Sequence, residues 1–85
     1  MKHAGQNALD QLETLLEEIR KRDGIKERKR GIFYHRSSAF LHFHEDPAGL
    51  FADIRYSGGD FDRYPVNNAV ERRELISRLD AALMD

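Results

Sequence analysis

The sequence predicts an α+β domain of order α-β-β-β-α: a three-stranded antiparallel meander with two helices packed on one face. Two observations carry this. Apolar residues recur at spacings of three and four near both ends of the chain. Between these stretches lie three short apolar runs with turn residues between them. With 85 residues there is room for one sheet-and-helix layer pair, so residues 1–85 read as a single domain.

The first helix is expected over residues 8–22. Leu9, Leu12, Leu15, Leu16 and Ile19 form its stripe, Asn7 is a candidate N-cap, and Gly24 stands where a left-handed residue ends a helix. The strands are expected over residues 32–36, 39–44 and 50–56. Ser37-Ser38 reads as the first tight turn. Asp46-Pro47-Ala48-Gly49 reads as the second, with Asp, Pro and Gly at the positions a type I turn favours. Residues 57–65 read as a polar loop without regular structure. The last helix is expected over residues 69–83, with Asn68 and Glu71 spaced as a capping box and Leu75, Ile76, Leu79, Ala82 and Leu83 as its stripe.

The composition excludes several functions. No cysteine is present, so disulfides, thiol nucleophiles, iron–sulfur clusters and zinc fingers are ruled out. No apolar run is long enough to span a membrane, and the opening residues lack the apolar segment of a secretory signal. A cytoplasmic protein is the expectation. The net charge of −1 argues against a strongly basic nucleic-acid binder. The charge is uneven, however: residues 20–30 hold seven basic side chains against two acids. At this length, without disulfides, a homodimer is a natural way to bury more apolar area.

Register decides which residues meet, because side chains alternate across a strand. With Ser37-Ser38 as the turn, His35 faces Phe40, Tyr34 faces Leu41 and Phe33 faces His42. The second turn sets His44 against Phe51, Phe43 against Ala52 and His42 against Asp53. One face then carries Ile32, Tyr34, Leu41, Phe43, Leu50, Ala52 and Ile54, an apolar core. The other carries Phe33, His35, Phe40, His42, His44, Phe51, Asp53 and Arg55. Three exposed phenylalanines call for a cover, and buried His, Asp and Arg groups call for partners.

This His/Phe face has several readings. It is a binding or homodimerisation surface in which two copies bury each other's phenylalanines. Alternatively, residues 57–65 fold back and set Phe61 and Tyr64 over the sheet of a monomer. A third reading is a divalent-metal site on His42, His44 and Asp53, since two imidazoles two residues apart on a strand point the same way and a carboxylate lies opposite. The basic segment 20–30 offers a nucleic-acid contact instead, against the plainer view of a solvated helix end. Ser37 and Ser38 match no nucleophile motif, so no catalytic residue is assigned.

Arg30-Gly31-Ile32-Phe33-Tyr34, Ala39-Phe40-Leu41-His42-Phe43-His44 with the following Glu45-Asp46, Ala52-Asp53-Ile54-Arg55 and Pro65-Val66 occur in an order that resembles small bacterial proteins. More distantly, the order is similar to the family labelled "luciferase domain". The resemblance spans residues 12–79 through short motifs. It implies the same helix-and-strand order and marks His42, His44 and Asp53 as the recurrent polar positions. No mechanism comes with that label, and this sequence departs from the family in ending after the last helix.

Overall fold

The computed structural model describes residues 1–56 and 59–84. Among the described residues the fold is α+β with an antiparallel sheet, but the sheet has six strands rather than three and there are three helical segments rather than two. In chain order they are β1 (Lys2–His3), α1 (Gln6–Gln11), α2 (Glu13–Arg20), β2 (Ile25–Lys29), β3 (Ile32–His35), β4 (Ser38–Asp46), β5 (Gly49–Arg55), β6 (Phe61–Pro65) and α3 (Ala69–Leu83). The sheet runs β2-β3-β4-β5-β6, and β1 pairs with the end of β4.

The expected first helix is broken at Leu12, which is the C-cap of α1 and the N-cap of α2. Asn7 lies inside α1; the N-cap is Gly5, without a side-chain cap bond. Gly24 does take a left-handed conformation, φ +90°, and turns the chain into β2. That strand, Ile-Lys-Glu-Arg-Lys, is an edge strand with little apolar content, so no apolar alternation reveals it. The α3 bounds match the expectation. Asn68 Oδ1 accepts from Glu71 N at 2.9 Å, while Glu71 Oε1 accepts from Asn67 N at 2.8 Å. Residues 57 and 58 of the expected loop lie outside the described residues; most of its remainder is β6, paired with β5.

The second hairpin has the expected register, Leu41↔Ile54 through Asp46↔Gly49. The first does not. Its turn is Arg36-Ser37, both at positive φ (52° and 69°), and a bulge sets Phe33 opposite Leu41 and Tyr34 opposite Ala39, leaving Phe40 as the extra residue. Phe33 and Phe40 consequently enter the core. Each buried Phe is worth about 1.5–3 kcal/mol, whereas each non-glycine left-handed residue costs about 1–2 kcal/mol.

The helices share one apolar cluster with one sheet face: Leu12, Leu16 and Ile19, then Leu75 and Leu79, against Phe33, Leu41, Phe43, Ala52 and Ile54. Ile32 and Tyr34, expected in the core, are only half-buried. Their neighbours on the sheet include His42 and Ala39. The opposite face is open. Among the described residues, no helix is long and apolar enough to cross a membrane.

Candidate metal centre

β4 places His42 and His44 on the open face, two residues apart. β1 adds a third imidazole, because its register sets His3 opposite His44 and Ala4 N donates to Phe43 O at 3.0 Å. Gly5 N donates to Glu45 Oε2 at 2.6 Å and holds the segment down. One donor nitrogen from each of His3, His42 and His44 lies within 4.8 Å of the other two. The rings of His3 and His44 are 4.7 Å apart, those of His42 and His44 4.9 Å.

His44 Nε2 is the centre of the cluster. It lies 3.0 Å from His42 Nδ1 and 3.1 Å from Asp53 Oδ2. One ring nitrogen carries at most one proton, so it serves both neighbours only by sharing it. His44 Nδ1 is buried and has no hydrogen-bond partner of good geometry among the described residues. Nε2–H with a bare Nδ1 is therefore the better neutral tautomer here, because the other would aim a lone pair at the carboxylate.

Asp53 is the one charged residue buried among the described residues, at 5% exposure. Arg63, opposite it on β6, donates from Nε at 2.7 Å and from Nη2 at 2.8 Å, one bond to each carboxylate oxygen. Burial pushes the Asp53 carboxyl up, but the Arg63 guanidinium outweighs it and holds the group below its ordinary value. Burial lowers His42 and His44; the charge of His44 adds to the effect at His42, and Asp53 opposes it at both. At neutral pH His42 and His44 are neutral imidazoles beside a carboxylate already matched by a guanidinium. That is the protonation state a cation needs, since ligands must shed protons before binding. Phe61 walls one side, its ring 4.6 Å from that of His42.

The residues singled out in the sequence divide in two. His42, His44, Asp53, Phe51 and Arg55 share the open face. Phe33 and Phe40 are core residues, at 1% and 5% exposure. His35 packs on the Phe40 ring at 5.3 Å and its Nδ1 sits 2.8 Å from Gly24 O, so it is engaged elsewhere. Phe61 reaches the open face, whereas Tyr64 packs against the core, opposite Ala52. His3 and Arg63 were missed: β1 is two residues long, and β6 has no apolar alternation. The basic segment is partly spent. Arg20 binds Glu13 and Glu27, Arg22 binds Asp80, and Arg30 binds Asp10 and Glu13. No protein-family model, curated protein or solved structure matches the chain, so function is argued from the site itself.

Proposed function

We propose that this protein binds a divalent transition-metal ion through His3, His42 and His44. The observation that carries the reading is the convergence of three imidazole donors from two neighbouring strands, all within 4.8 Å. Metal–nitrogen bonds of about 2.0–2.1 Å set neighbouring donors about 3 Å apart, the spacing of His42 Nδ1 and His44 Nε2 at 3.0 Å; for His44 to ligate through Nε2, an ion displaces the proton from that nitrogen to Nδ1. Imidazole suits zinc, copper, nickel and iron alike. Asp53, whose two oxygens each accept a bond from Arg63, stands beside the His44 donor as a fixed negative charge. Three protein ligands leave a coordination position for water or an exogenous ligand, the arrangement of a working rather than a structural site. The resemblance noted above, which marks His42, His44 and Asp53, agrees with this placement. The case for a second copy on this face is weaker than the sequence implied, since Phe33 and Phe40 are in the core and Phe51 alone remains of the three.

The test is native mass spectrometry of protein purified without chelator, followed by calorimetric titration with zinc. The expected result is one ion per chain, lost in His42→Ala, weakened at least tenfold in His3→Ala and retained in His35→Ala. Circular dichroism of each variant separates lost ligation from lost folding. A folded wild-type protein that takes up no ion at millimolar zinc, or a His35→Ala loss equal to that of His42→Ala, overturns the reading. The same spectra report whether a dimer forms.

A further inference from the structure

The paired registers lay Lys29, Ile32, His42, Asp53 and Arg63 in a single row across five strands. Directly paired residues share a face, so Lys26 stands with Tyr34, and Arg55 with Phe61, beside that row. Arg28, at the β2 bulge, lays its guanidinium 5.1 Å over the Tyr34 ring, and Arg55 lies 4.9 Å over the Phe61 ring. Basic side chains thus lie on the β2 edge and on β5 of the open face, each beside a half-buried aromatic ring. Lys26, Arg28, Lys29 and Arg55 form no ion pair with a carboxylate among the described residues. Of the strand acids, Asp53, already paired, and Asp46, at the end of β4, are on the open face.

We propose that the open sheet face binds single-stranded nucleic acid. Phosphates lie along Lys26, Arg28, Lys29 and Arg55, and bases stack on Tyr34 and Phe61. Every base has a π-face, so aromatic stacking on a basic surface recognises single strands without regard to sequence. A duplex hides those faces, and among the described residues no helix stands on this side of the sheet to enter a groove. The proposal stands on residues other than the three histidines and does not need a bound metal.

The experiment is fluorescence anisotropy with a labelled twelve-residue oligouridine, run in EDTA so that metal plays no part. Four phosphate contacts, at about 0.7 counterions each for single strands, predict a loss of about 50-fold in affinity between 50 and 200 mM salt. The double reversal Arg28→Glu, Lys29→Glu is expected to weaken binding at least tenfold. Tyr34→Ala is expected to weaken it about tenfold while leaving the salt slope unchanged. Arg73→Glu, on the helix side, leaves binding as it was. The oligodeoxythymidine of equal length distinguishes RNA from DNA, and either as ligand supports the proposal. Absence of binding at 50 mM salt overturns it. So does an Arg73→Glu effect equal to the β2 reversal, or competition by duplex or heparin equal to that by the single strand.

Discussion

Gly31→Ala tests how α1 is seated on the β2–β3 turn. Gly31 has φ +79°, and a Cβ there would stand 2.6 Å from Leu9 Cδ2. The left-handed backbone alone costs an alanine about 1–2 kcal/mol. Leu9 is 7% exposed and packed in the core, so it escapes the new methyl only by displacing neighbours. Such overpacking adds about 1–3 kcal/mol. Gly24→Ala is the matched control: its φ is +90°, but its Cβ meets His35 Cε1 at an ordinary 3.8 Å. A domain of this size loses about 4–8 °C of melting temperature per kcal/mol. Thermal denaturation followed by circular dichroism is expected to place Gly31→Ala at least about 4 °C below Gly24→Ala. Adding Leu9→Ala is expected to cost less in the Gly31→Ala background than in wild type, because it opens the space the methyl needs. Equal melting of the two glycine variants, or strictly additive effects of Leu9→Ala, would refute the steric argument and show that Leu9 swings aside freely.

Further outcomes follow from the core, the cap and the buried carboxylate. Phe40→Ala should cost about 3–5 kcal/mol in urea unfolding, and a cost below about 1 kcal/mol would contradict its place in the core. Asn68→Ala should cost about 1 kcal/mol through the lost bond to Glu71 N; unchanged stability would show that Glu71 alone sustains the cap. Asp53 is held below its ordinary value of 3.8 in the folded chain. Its contribution is therefore complete above that pH and lost as pH falls through the lower folded value. Asp53→Asn should accordingly flatten the acid limb of melting temperature against pH below 3.8, and an unchanged limb would count against the Arg63 pairing.

The parts of the fold legible in the sequence are those with unambiguous local grammar. Asp46-Pro47-Ala48-Gly49 fixes the β4–β5 register, and with it the juxtaposition of His42 and Asp53. Asn68, Glu71 and one apolar stripe locate α3. The β3 register is not legible because Ile32, Phe33 and Tyr34 are all apolar, so alternation cannot say which face goes inward. The turn that settles it has Arg36 and Ser37 at positive φ, one residue earlier than Ser37-Ser38 and without the Asn-Gly or Gly that usually marks such a turn. β6 is joined to β5 by its main-chain pairing, by Tyr64 on the core and by Arg63 meeting Asp53 ten residues away, none of which a local apolar pattern shows. His3 enters the site on a strand too short to have a period.

The outer strand β2 has a second consequence, for how copies of the chain behave at high concentration. A sheet ends in a row of main-chain donors and acceptors that will accept any passing strand. On β2 that row is interrupted by the bulge at Arg28 and flanked by Lys26 and Lys29, which must be desolvated before another strand can dock. The residues that make one margin of the face basic thus also guard the molecule against edge-to-edge association. Neutral replacements there would remove both properties together, so light scattering belongs beside any binding measurement on β2 variants, and charge reversal, which preserves the guard, is the cleaner substitution.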